Sequence, residues 1–168
     1  MTRANLPALG YAYVALGLPA LVLGPEHLHA AAALLTGGAF CLLWFLASLR
    51  AQLIRFDPDG FFATAVVLGA AAFVPLQAAA ILSGETAGAA LSSACAATVI
   101  VAASLAAWRA RKIPRWFGRA GVAGGIAVLA VGLVEGAADW VLADESVFAS
   151  SLGFMVWVVV TSTYLLRR

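Results

Sequence analysis

The apolar positions of this chain fall into six long runs, at about 6–23, 28–49, 61–82, 86–108, 118–141 and 146–166. Each comes close to the ~20 residues that a helix needs to cross ~30 Å of hydrocarbon. Polar and charged residues collect in the short segments between them. No run alternates with the period of a strand, and Ala and Leu dominate, so helices rather than a barrel satisfy the backbone in lipid. The pattern predicts an all-α, polytopic membrane protein with a single domain over 1–168, a six-transmembrane-helix bundle. The turns at Gly24-Pro25-Glu26 and after the third and fifth runs are very short. Spans one and two, three and four, and five and six should therefore be antiparallel neighbours.

Composition agrees with this reading. The 168 residues are 64% hydrophobic and 11% charged, with a mean hydropathy of +1.00. Soluble domains run closer to half apolar and a quarter charged, and a soluble fold of this length could not cover so much apolar surface. Cys41 and Cys95 both lie inside apolar runs and read as small hydrophobes rather than a disulfide. Arg3 followed by an apolar stretch also fits a signal peptide. No small-x-small cleavage site follows it and Pro25 comes directly after Gly24, so an uncleaved first span is expected.

Charge adds orientation. All ten basic residues occupy alternate inter-span segments: Arg3; Arg50 and Arg55; Arg109, Arg111, Lys112, Arg115 and Arg119; Arg167 and Arg168. The other segments hold six of the eight acids, Glu26, Glu85, Glu135, Asp139, Asp144 and Glu145. Basic residues near span ends stay on the cytoplasmic side. The expected location is therefore a bacterial cytoplasmic (inner) membrane, crossed several times, with both termini inside. The lipid bilayer is the expected partner, and a basic loop beside anionic lipid is natural; nucleic acid is not expected. Trp108, Trp116, Phe117, Trp140 and Tyr164 fall at predicted interfaces, where amphipathic rings anchor. Trp44 and Trp157 lie deeper and read as space-filling between helices. The segment Leu49–Phe56 faintly echoes Trp108–Trp116, which the shared need for basic and aromatic residues at one interface explains better than an internal repeat.

Span five carries the most pattern. Gly118, Gly121, Gly125, Gly132 and Gly136 lie within about 60° of one another on a helix, and Gly121 and Gly125 form a G-x-x-x-G step that allows close backbone approach. This stripe is a candidate helix-packing face, against another span or another subunit. Glu135 and Asp139 share that side, four residues apart, and have two readings. If span five ends near Val134, both are solvated. If it does not, they form a candidate proton or cation site opening to the outer face, since intramembrane acids face a cavity or a partner. The solvated reading is favoured.

His27 and His29 should lie at the outer surface as a wet turn. Residues two apart on a helix point away from each other, so no metal site is expected there. Pro19, Pro75 and Thr36-Gly37-Gly38 are points where a helix could bend or free a carbonyl. With Gln77 they suggest a polar vestibule in the outer half. The only lysine, Lys112, is in a loop, which excludes a retinal Schiff base in the bundle. No H-E-x-x-H, G-x-S-x-G, phosphate loop or Cys-x-x-Cys occurs. No histidine lies at the depth that paired haem ligation needs, and Ser92, Ser93 and Ser104 have no histidine at matching depth. No catalytic residue and no cofactor are expected.

Ile113-Pro114-Arg115-Trp116-Phe117-Gly118, the Gly-rich span after it, and Trp157 with Tyr164-Leu165-Leu166-Arg167-Arg168 resemble the C-terminal half of small bacterial integral membrane families of unknown function. Trp44-Phe45-Leu46-Ala47-Ser48-Leu49-Arg50 is similar to a span-ending segment of the same kind of protein. The resemblance covers about a third of the chain and implies a six-span inner-membrane protein, with no activity to transfer. The functional expectation is a non-enzymatic scaffold or small subunit of a membrane assembly, its glycine face packed on a second copy or a membrane-protein partner. The alternative is a small-solute or ion transporter or channel coupled through Glu135 and Asp139.

Overall fold

A computed structural model describes residues 3–23, 27–55, 57, 59–83, 86–109, 114–137 and 143–166. A 3-10 helix over Arg3–Ala8 leads into α1 (Leu9–Val22), followed by α2 (Leu28–Leu53), α3 (Phe61–Ser83), α4 (Thr86–Arg109), α5 (Arg115–Ala137) and α6 (Ala143–Leu166). Among the described residues, four helices are long and apolar enough to cross a membrane, α2 to α5, and α1 and α6 contain shorter apolar stretches. The helices follow the apolar runs closely. The largest departure is at α2, which runs on to Leu53; α5 and α6 both start earlier than expected, at Arg115 and Ala143, and α5 so takes in the end of the basic segment. Pro19 and Pro75 sit inside α1 and α3, which continue through them.

The outer surface is as apolar as the interior. Leu68, Leu133, Phe40, Val156 and Ile126 are all well exposed. Helices that are apolar all round belong in lipid or in a large core, and this bundle is too small to provide the second.

Contacts at the helix ends define one basic end. The Arg109 guanidinium lies 4.8 Å from the Phe62 ring centre, Phe117 stacks on Tyr164 at 5.2 Å, and the hydroxyls of Tyr11 and Thr163 are 2.6 Å apart. Leu49 and Leu53 of α2 share a small cavity with Ala107, Phe117 and Tyr164. The starts of α1, α3 and α5 and the ends of α2, α4 and α6 thus meet, bringing Arg50, Arg55, Arg109, Arg115 and Arg119 to the same end. Asp57 anchors it. Its carboxylate accepts the backbone N–H groups of Phe62 at 2.6 Å and Ala63 at 3.3 Å, capping the first turn of α3 where the helix dipole favours an anion. Gly60 takes a positive φ of 69° in that turn, which glycine adopts without a Cβ clash.

α4 is the most buried of the four long helices, and its main partners are α3 and α5. As expected, α5 and α6 are neighbours, but α5 packs most extensively on α4, across the basic segment. Glycine is the reason. A Cβ on Gly118 would lie 2.7 Å from the Trp108 Cβ and 3.1 Å from the Ser104 carbonyl oxygen, and one on Gly125 would lie 2.6 Å from Val101 and 3.3 Å from the Ala97 carbonyl oxygen. Gly121 seats the Ser104 side chain and Gly132 seats Ser93. With no side chains between them the two backbones approach closely, which dispersion rewards in a medium without a hydrophobic effect between helices.

Trp44 also differs from expectation. It is 48% exposed and meets Phe40 edge-on at 6.3 Å, on the outer face of α2. Phe40, Leu43, Trp44 and Ala47 share that face at spacings of three and four, so lipid rather than a neighbouring helix surrounds it. Trp157 lies between helices, stacked on Phe154 at 5.9 Å. Cys41 and Cys95 are both free thiols, each partly buried.

Candidate functional site

Away from the basic end, α1, α2, α3 and α6 border a cavity of about 450 Å³ that is partly open at Phe40 and Leu43, on the outer face of α2. Each helix contributes one face. Tyr13, Gly17 and Leu21 recur at intervals of four on α1; Ala32, Leu35, Thr36, Ala39, Phe40, Leu42 and Leu43 at intervals of three and four on α2; Phe73, Val74, Gln77 and Ala78 on α3; and Met155 comes from α6. The space exists because small residues stand where bulky ones would fill it: Gly17, Ala32, Ala39 and Ala78. A Cβ on Gly17 would come within 2.8 Å of the Met155 methyl. Behind this lining, Phe154 packs between Tyr13 at 6.1 Å and Phe73 at 4.7 Å.

Three side chains bring polar atoms to this lining, Tyr13, Thr36 and Gln77, and none of the lining residues is charged. Thr36 donates its hydroxyl to the Ala32 carbonyl at 2.8 Å. Gln77, 9% exposed, is held at both ends. Its Nε2 donates to Ser151 Oγ of α6 at 2.8 Å, and its Oε1 accepts from Ser92 Oγ of α4 at 3.0 Å. This pair of bonds ties α3, α4 and α6 together and fixes the amide at the edge of the cavity. The amide keeps one N–H and one carbonyl lone pair beyond these bonds. The Tyr13 hydroxyl has no hydrogen-bond partner among the described residues. A second hollow, a more open groove of about 490 Å³ between α3, α4 and α5, has Thr98 as its one polar side chain, and that hydroxyl donates to the Ala94 carbonyl.

Thr36 and Gln77, two of the features that suggest an outer vestibule, thus line one cavity, with Val74 beside Pro75 and Gly17 close to Pro19. Its lining is mostly apolar where the sequence predicts a polar one. The glycine stripe lies elsewhere: Gly118, Gly121, Gly125 and Gly132 are against α4, and the surroundings of Gly136 lie outside the described residues. Glu135 is in the last turn of α5, its side chain outside the described part of the structure. Asp139 lies outside the described residues, as do Glu26 and Glu85. His27 and His29 are exposed, and no cluster of metal-ligating side chains occurs among the described residues.

Two functional groups escape the sequence reading. The Asp57 cap has a readable signal, an acid three residues before glycine ahead of an apolar run. The Gln77–Ser92–Ser151 link has none, because each residue stands alone on its own helix. Compared with known proteins, the chain matches no family, no curated protein and no solved structure.

Proposed function

We propose that this chain is a non-enzymatic integral membrane protein that binds a small, uncharged, mostly apolar molecule within the bundle. One observation carries the reading: an uncharged cavity of about 450 Å³, within the range of small-molecule sites, bordered by the Tyr13 hydroxyl and by a Gln77 amide fixed by two helices. A charged occupant would lose its hydration with nothing to compensate it. A neutral molecule with a carbonyl or hydroxyl head and an apolar tail would receive a hydrogen bond at one end and a hydrocarbon lining along the rest. No side chain lining the cavity is a nucleophile paired with a base, in keeping with binding rather than catalysis. The scaffold reading rests on a glycine face open to a partner, and α4 covers that face along its described length.

The transporter reading finds less to build on. Between Ser151 and Thr161 on α6 the interior is filled by Phe154 and Val158, with Val99 and Ile100 of α4, each no more than 1% exposed. A polar route along the bundle would have to cross this dry layer.

The test is binding to purified protein in nanodiscs, followed by native mass spectrometry with a medium-chain alcohol and the carboxylate of equal length. The alcohol should bind saturably at one site. Tyr13→Phe should weaken it about tenfold, the equivalent of one net hydrogen bond, and Ala39→Trp should abolish it by filling the space. Equal binding of the carboxylate, or indifference to Ala39→Trp, would sink the reading.

A further inference from the structure

The open groove of about 490 Å³ between α3, α4 and α5 has α4 as its floor, where Ala94, Thr98, Val101 and Leu105 recur at intervals of four, three and four. Arg109, four residues beyond Leu105, continues that stripe to the basic end. Its guanidinium lies over the ring of Phe62, 4.8 Å from the centre, and Phe62 lines the groove. The α5 wall repeats the pattern. Ile126 lines the groove, and Arg119 stands seven residues before it, two turns nearer the basic end. The Arg119 guanidinium lies 5.6 Å from the Trp108 ring centre, beside the end of α4. We propose that this groove seats one acyl chain of an anionic phospholipid, with Arg109 and Arg119 holding the phosphate at its mouth.

Depth, lining and charge each point to a lipid. From Ala94 to Leu105 the floor extends roughly 16 Å along α4, half of the ~30 Å of hydrocarbon. Phe61 and Phe62, in the first turn of α3, close one end of it. The groove thus runs inward from the basic end for the depth of one leaflet. A partner's transmembrane helix would need a seat across both leaflets; an acyl chain needs only one. The lining asks for no polar atom along that length, because the Thr98 hydroxyl is already bonded to the Ala94 carbonyl at 2.9 Å. Phe61 is 71% exposed and Ile126 59%, so a chain from the bilayer can enter without displacing a helix. At the mouth, neither Arg109 nor Arg119 forms an ion pair among the described residues. Aromatic faces hold the two guanidiniums while their N–H groups stay available to phosphate oxygens. Of the acids described at this end, Asp57 is engaged in the α3 cap and Asp59 is exposed. Arg50, Arg55 and Arg115 keep the end basic, which favours an anionic headgroup over one that carries its own ammonium.

Native mass spectrometry of the protein released from nanodiscs of dioleoyl phosphatidylglycerol and dioleoyl phosphatidylcholine in equal amounts tests the site. One phosphatidylglycerol should be retained in preference to phosphatidylcholine. Arg109→Gln should weaken that retention about fivefold, the effect of one cation at a membrane surface. Arg50→Gln, at the same end on α2 but outside the groove, should leave it unchanged. Thr98→Trp, on an exposed position of the floor, should abolish it by filling the space. Equal retention of the two lipids, or equal losses in the Arg50 and Arg109 variants, would overturn the proposal, since either means diffuse attraction to the basic end. Undiminished retention in Thr98→Trp would overturn it too. So would a dimer that Thr98→Trp dissociates, because the groove would then belong to a second copy.

Discussion

The two halves of this bundle deal with buried polarity in opposite ways. In the half away from the basic end, the Gln77 amide bonds to serines on two other helices, and the space beside it is large and apolar. At the basic end, Ser48, Ser104, Trp157, Thr161 and Ser162 are buried without partners among the described residues, and the space beside three of them is small and lined by apolar surface. A primary amide offers two donors and two acceptor lone pairs on a rigid plane, so one side chain can link two helices and still face a ligand. Isolated hydroxyls lack the reach to do this. Polarity in the first half therefore links helices, whereas in the second it is buried without partners among the described residues.

Three substitutions probe that contrast. Gly125→Leu should do the most damage. Its side chain would run into Val101 and the Ala97 backbone, forcing α5 from α4 at a cost of about 3 kcal/mol and exposing Ser104 to its surroundings. Gly124→Leu on the open side of the same helix, where a Cβ meets nothing within 4 Å, should leave the thermal transition in place. Equal losses in the two variants would mean that the glycine face is not a tight seam. Next comes Gln77→Leu, which takes a partner from both Ser92 and Ser151 and makes the two halves alike. Chemical denaturation should show a loss of about 1–2 kcal/mol, with ligand binding weakened as well. A variant as stable as the parent would show that the link is incidental. Asp57→Ala should do the least, removing the α3 cap for about 1 kcal/mol and leaving binding in the distant cavity unchanged. Altered binding there would show that the two halves are coupled.

The helices were legible in the sequence because each apolar run is bounded by charge or by Gly and Pro, and hydrophobic thickness fixes their length. Rotation about the helix axes was not. A soluble helix advertises its buried face through an apolar stripe, but Phe40 and Trp44 face outward on α2 while Phe45 and Leu46 face inward, and all four are equally apolar. For that reason the pattern puts Trp44 between helices when it faces lipid, and it gives no means of joining Gln77, Ser92 and Ser151. Glycine spacing did identify the contact face of α5, since periodicity in size survives where periodicity in polarity does not. It could not name α4 as the neighbour, because close approach depends on both surfaces and α4 meets the glycines with a mixed set, Ser93, Ala97, Ile100, Val101, Ser104 and Trp108. The acids Glu135 and Asp139 fall in and beyond the last turn of α5, outside the described side chains, so the proton-site reading gains no geometry.

The contact between Tyr11 and Thr163 joins residues 152 positions apart, so the first helix finds its final neighbour only when the last one exists. Met155, which completes the cavity wall, and Phe154, which packs behind it, come from that same last helix. During synthesis, therefore, five helices can be in the membrane while the cavity still lacks a side. Occupancy reports on a finished chain: a protein truncated before α6 should insert but bind nothing, and an occupant present during assembly would favour closure of the first helix on the last.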